Sequence, residues 1–171
     1  LDIVADDAFF RVTAAMAGAR KVTANDKEWS TWPMNIDYAC RTWKVDPEIV
    51  SGDFMSHRFG EVFDVILLLG VLYHLENLPA CMRQLRSLLV EGGLVYVETQ
   101  MSQIDSPLPI FEYASDIFPT VAIQDKKNLA RVGISNHLFP NPAAVQNLAH
   151  SYDFECASLS GPHNAYTREN P

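Results

Sequence analysis

Hydrophobic residues change their spacing several times along this 171-residue chain, and each change marks an element. From Phe63 to Gly70 almost every position is apolar, the pattern of a central parallel strand that avoids water on both faces. Val65, Ile66, Leu67 and Leu68 are therefore expected to be nearly fully buried. Between Asn77 and Val90 the apolar residues Leu78, Cys81, Met82, Leu85, Leu88 and Leu89 fall on one stripe, which predicts a sheet-covering helix. Gly92-Gly93 then turns the chain into a second apolar strand, Leu94 to Thr99. Strand, helix, turn and strand make a parallel βαβ unit, with the polar end of the first strand at the C-terminal edge of a sheet.

The same periods predict a strand tip at Leu1 to Ile3, a helix from Phe9 to Gly18 and a second strand from Lys21 to Asn25. A helix over Trp32 to Trp43 and a third strand over Ile49 to Ser51 follow. Beyond Thr99 a connection runs from Gln100 to about Pro140, a length that suits an insertion or lid. A helix over Pro142 to His150 and strands at Phe154 to Ser160 and Ala165 to Glu169 complete the pattern. Alternating strands and helices imply an α/β fold, a doubly wound and mostly parallel sheet in one domain over residues 1–171.

Composition narrows the function. Hydrophobic residues at 48% and charged residues at 20% are those of a globular domain, and Val65 to Tyr73, the longest apolar run, is too short to span a bilayer. No membrane anchor or signal peptide is expected. Cys40, Cys81 and Cys156 are odd in number and lack metal-ligand spacing, so they read as ordinary thiols with no metal, in the cytoplasm. A net charge of −8 argues against a broad phosphate-binding surface and favours a small-molecule partner over tRNA. The start at Leu1, without a methionine, leads us to expect that an N-terminal segment is missing. Nothing in the sequence sets the oligomeric state.

Open α/β sheets bind ligands at the C-terminal ends of their strands, so the residues there are the candidates. Asp26, after the second strand, stands where a carboxylate can accept both hydroxyls of a ribose; the alternative is a solvated cap on the turn. Gly52-Asp53-Phe54 closes the third strand, either as a ligand-binding turn or as a plain Gly-Asp turn. Leu69, Gly70, Tyr73 and His74 close the fourth. His74 can act as a general base toward a hydroxyl acceptor, or simply cap the sheet edge while Tyr73 packs in the core.

The segment Phe63-Asp-Val-Ile-Leu-Leu-Leu-Gly-Val-Leu-Tyr-His-Leu-Glu-Asn-Leu78, with Gly92 to Thr99, resembles the middle of class I S-adenosylmethionine-dependent methyltransferases. Within them it looks most like the branch of the tRNA wobble-uridine carboxymethyltransferases. The resemblance implies a Rossmann-like sheet of order 3-2-1-4-5-7-6 with strand 7 antiparallel, and S-adenosylmethionine as cofactor. It gives Asp26 the ribose, Asp53 the adenine amino group and Phe54 the adenine face. Leu69 and Tyr73 would contact the cofactor, and His74 would face the acceptor. It also aligns Asp2-Ile-Val-Ala-Asp-Asp-Ala-Phe-Phe10 with the family's glycine-rich turn, which places Asp2 and Val4 in the cofactor set and puts Val4 and Ala8 where glycine is expected. Tyr113, Asn136 and Asn141 fall in the acceptor-side loop, and Asn164 stands where the branch has an arginine. The implied function is methyl transfer to an oxygen or nitrogen of a small or medium-sized acceptor. The alternatives are a tRNA-modifying transferase and a degenerate scaffold of the same fold.

Overall fold

Five segments of the chain pair side by side, all parallel. They are β1 (Asp2–Ile3), β2 (Thr23–Asp26), β3 (Glu48–Ser51), β4 (Phe63–Leu69) and β5 (Leu89–Glu98), in the order β3-β2-β1-β4-β5. The computed structural model describes residues 1–4, 9–27, 38, 40–46, 48–114 and 137–157. α1 (Phe9–Met16) follows β1, and α2 (Leu78–Leu88) links β4 to β5. A second, antiparallel ribbon pairs β6 (Phe111–Ala114) with β7 (His137–Pro140), and α3 (Pro142–His150) follows it.

α2 starts where its sequence allows it to. Asn77 accepts from the Ala80 N–H through its side chain and Pro79 sits in the first turn, where its missing donor costs nothing. Its stripe of Leu78, Cys81, Met82, Leu85 and Leu88 packs on Ile3, Ile66 and Leu68 to form the core. Burial pushes the Cys81 thiol up to about 12, so it is an inert core residue. Cys40, Cys81 and Cys156 are all free thiols.

The expectation that β4 is buried on both faces is corrected. Ile66 and Leu68 are 0% exposed, but Val65 is 40% exposed and its β5 neighbours Leu94 and Tyr96 are 50% and 55% exposed. The alternation of side chains sends Ile66 and Leu68 toward α2, while Val65 and Leu67 face the other way. No described element covers that second face over β4 and β5.

Three further differences concern boundaries. Gly92-Gly93 does not form a free turn; it lies in an irregular stretch of β5, where the pairing jumps from Phe63 with Leu89 to Val65 with Leu94. Residues 154–157 form no strand, and the remainder of the two predicted C-terminal strands lies outside the described residues, as does most of the predicted Trp32 to Trp43 helix. The antiparallel pair that is seen comes from the 100–140 segment instead. Among the described residues, no helix is long and apolar enough to cross a membrane and no cluster of side chains suits a metal ion.

Candidate functional site

The strand tips are tied together at the C-terminal edge by a few specific hydrogen bonds. The Asn25 side chain, buried in β2, donates from Nδ2 to the Val50 and Gly52 carbonyls, each at 3.0 Å. The Gly52 N–H donates to the Asp26 carbonyl at 2.9 Å. Asp26 and Asp53 are thereby held on adjacent tips. Asp53 Oδ1 accepts from the Met55 N–H at 2.9 Å and the Asp53 carbonyl accepts from the Ser56 and His57 N–H groups, which closes the turn. Its second carboxylate oxygen has no partner among the described residues. Gly52 has φ +134°, and a Cβ there would meet nothing within 4 Å, so open space lies over this turn.

Val4 follows β1, and its N–H donates to the Asn25 carbonyl at 2.8 Å. Its φ is +59°, in the left-handed region. A β-branched residue there is a true outlier, since its Cβ crowds the backbone, and such strain costs about 1–3 kcal/mol. The backbone at this one position has the shape that suits glycine. The valine side chain is 47% exposed at the strand tip, whereas Asp2 is buried within the strand.

β4 passes into Gly70, with φ +71°, whose N–H donates to the Glu98 carbonyl at 3.0 Å. A Cβ on Gly70 would lie 3.7 Å from Glu98 Oε2, so the carboxylate that ends β5 overhangs this glycine. A short 3-10 turn, Leu72–His74, comes next, anchored by the buried Leu72. It leaves Tyr73 half-buried and His74 more open to solvent, its ring only partly covered.

β7 lies against this turn. The His137 ring centroid is 4.7 Å from His74 and 5.7 Å from Tyr73, and Phe139 is 5.9 Å from Tyr73. Partial burial, and secondarily the like charge of His137, hold the His74 imidazole below its ordinary value. Burial, with Glu98 adding to it, pushes the Tyr73 phenol up.

Asp26, Asp53, Leu69, Tyr73 and His74 therefore stand along one edge although the sequence disperses them. Two expected roles are corrected, and a third residue stands apart from this edge. Phe54 is 4% exposed and belongs to the core, so its ring offers no open face for stacking. Asn141 is buried and fully committed: Nδ2 donates to the Ser106 and Leu108 carbonyls at 3.0 and 2.8 Å, and Oδ1 accepts from the Ile110 and Ala144 N–H groups at 3.0 and 2.9 Å. An asparagine with both donors and both lone pairs in use caps α3 and pins the 106–110 loop, and has nothing left for a substrate. Tyr113 pairs with Leu138, on the opposite face of the ribbon from His137 and Phe139, and is 61% exposed. Asn136 and Ala8 lie outside the described residues.

Two residues went unread in the sequence. Glu98 is a carboxylate at a strand end just as Asp26 is, and that position was its signal. His137 adjoins Asn136, but nothing local in the chain announces that its strand returns to the Tyr73–His74 turn. A separate open cavity of about 470 Å³, lined by His57, Arg58, Gln84 and Ser87 among others, sits at the opposite edge, where β4 begins and α2 ends.

Comparison with solved structures finds the same fold. An S-adenosylmethionine-dependent methyltransferase from Clostridium acetobutylicum ATCC 824 matches with TM-score 0.53 at 14% identity, over 68% of this chain and 49% of that one. The PH0226 protein from Pyrococcus horikoshii OT3 matches with TM-score 0.61 at 14% identity, over 88% of this chain and 70% of that one. The glycopeptide N-methyltransferase MtfA matches with TM-score 0.57 at 15% identity, over 88% and 70%. The chain thus spans about half the length of the clostridial enzyme. Comparison with curated protein sequences gives no match. The sequence profile described as a methyltransferase domain matches residues 7–159, and the chain belongs to that family.

Proposed function

We propose that this domain binds S-adenosylmethionine along the C-terminal edge of the sheet and directs its methyl group to an oxygen or nitrogen of a small or medium-sized acceptor. The observation that carries this reading is the placement of Asp26 and Asp53 on adjacent strand tips, with the Gly70 to His74 turn farther along the same edge. The family match and the S-adenosylmethionine-dependent clostridial structure support the cofactor, and the glycopeptide enzyme supports a non-nucleic-acid acceptor.

The residues present fit the adenosine half of such a ligand. Asp26 would accept from the ribose hydroxyls, and the free oxygen of Asp53 would accept from the adenine amino group, over the open space above Gly52. Gly70 lets the backbone come close at the methionine end, beside Leu69 and Tyr73. When bound, the cofactor supplies an activated methyl on a sulfonium sulfur. The protein's task is then to hold the acceptor in line with it. His74, exposed and held in its neutral form near pH 7, would take the acceptor's proton. The β6–β7 ribbon, standing on the Tyr73–His74 turn, would close the acceptor side as a lid.

A scaffold reading is favoured by one observation, the strained Val4 at the tip of β1. The tRNA-modifying reading rests on the wording of the Phe63 to Leu78 segment, against the net charge of −8. Isothermal titration with S-adenosylmethionine and S-adenosylhomocysteine tests the proposal. Binding that Asp26→Asn weakens at least tenfold supports it, and no binding by the unmodified chain leaves the scaffold.

A further inference from the structure

Among the described residues, the strands and turn on the acceptor side of this edge have an unbalanced charge. β4, the turn after it, β5, β6 and β7 carry no lysine or arginine. Glu98 overhangs Gly70 with its Oε2 3.7 Å from where a Cβ would sit, and its carboxylate has no side-chain partner among the described residues. Beside it stand Tyr73 and His137, half-buried rings 5.7 Å apart and 21° from parallel, followed by the exposed His74. We infer that the acceptor is a primary or secondary amine on an apolar body, entering as its ammonium form and recognised by Glu98 and the Tyr73 ring. The inference rests on the methyltransferase reading above.

Each candidate acceptor meets this wall differently. A carboxylate is repelled by Glu98, with no cation on these elements to offset it. A neutral alcohol gains nothing from Glu98. An ammonium gains both the carboxylate and the negative face of an aromatic ring, two attractions that strengthen as the cleft loses water. The proton step separates amines from phenols. When an ammonium gives its proton to His74, the positive charge only moves from one group near Glu98 to another. A phenol giving up its proton creates an anion beside that carboxylate, which the field opposes. The freed amine nitrogen then forms a bond to the methyl carbon, the carbon–sulfur bond breaks, and its electron pair leaves on sulfur. The proton stays on His74 until solvent takes it, and an exposed imidazole permits that exchange.

The test uses the full chain saturated with S-adenosylhomocysteine and three matched probe sets: benzylamine, phenethylamine and hexylamine, each with its alcohol and its carboxylic acid. Binding is measured by titration calorimetry. We expect at least one amine to bind at least tenfold more tightly than its alcohol and its acid, and Glu98→Gln, again measured at saturating S-adenosylhomocysteine, to remove that preference. Amines that bind no better than their alcohols, or a preference that survives Glu98→Gln, overturn the inference while the methyltransferase reading stands. Failure of the chain to bind S-adenosylhomocysteine overturns both.

Discussion

The imidazole rings of His74 and His137 stand 4.7 Å apart at an angle of 55°, one on the turn after β4 and the other on the ribbon that arises from the 100–140 segment. The insertion therefore brings a second titratable group to the edge where the strand tips converge. His74 is also faced by Tyr73 on its own turn, and Glu98 on β5 acts on that tyrosine. The balance among these groups decides which protonation state the site presents.

The pH response follows from the direction of the His74 shift. Its folded value is lowered, first by partial burial and then by His137, from an ordinary value of about 6.5. As pH falls, the unfolded chain protonates first, so the contribution to stability is present above about 6.5 and is lost through the window below it. The neutral base likewise persists below that pH. In a proton NMR titration we expect His74 to titrate below the free imidazole, and His137→Gln to move it back only part of the way, because burial is the larger cause. A His74 that titrates at or above the free value would contradict the geometry.

Asn141 makes a different kind of prediction, because the structure moves it from substrate binding to architecture. Asn141→Ala removes four hydrogen bonds at a buried site, leaves the Ile110 and Ala144 N–H groups without that acceptor, and uncaps α3. We expect a loss of about 2–4 kcal/mol in urea unfolding, at about 1 kcal/mol per net hydrogen bond. Tyr113→Ala, at an exposed position, should change stability by less than about 0.5 kcal/mol. An Asn141→Ala chain of unaltered stability would return the residue to the list of ligand-binding candidates.

The contrast between Asn141 and Asp26 shows what a sequence of this kind makes legible. The parallel sheet could be read because β4 and α2 announce themselves by spacing, and Asp26 and Asp53 could be placed because each follows a strand and strand ends define the edge. Asn141 could not be assigned, since its partners at Ser106, Leu108 and Ile110 are set by how a loop folds back, which no local period encodes. Phe54 misled for the reverse reason: its position after β3 is that of a stacking residue, but the turn closed by Asp53 sends its ring into the core. Val65 misled because an apolar pattern on both faces says what a strand can bury, and coverage depends on which elements arrive to pack on it. His137 was out of reach altogether, its role being created by the contact of β7 with a turn far away in sequence.

Val4 gives the prediction with the sharpest sign. Its φ of +59° shows that Val4 sits in a backbone conformation in which glycine would be relaxed and valine is strained. Val4→Gly removes the clash of Cβ with the backbone but adds freedom to the unfolded chain, two terms of opposite sign. The strain of about 1–3 kcal/mol exceeds the entropic loss of about 0.5–1 kcal/mol, so a net gain of about 1 kcal/mol is expected in urea unfolding. Almost half of the side chain is exposed, so little burial is lost in the exchange. The same substitution opens the tip of β1 beside Asp26, and with Ala8→Gly it should tighten S-adenosylmethionine binding, by about tenfold for each 1.4 kcal/mol of relieved crowding. Calorimetric titration of both proteins reads the second effect, and unfolding reads the first. A stabilised variant with unchanged affinity would show that Val4 strains the loop without obstructing the ligand. A destabilised variant would show that the valine side chain contributes packing that outweighs its backbone strain.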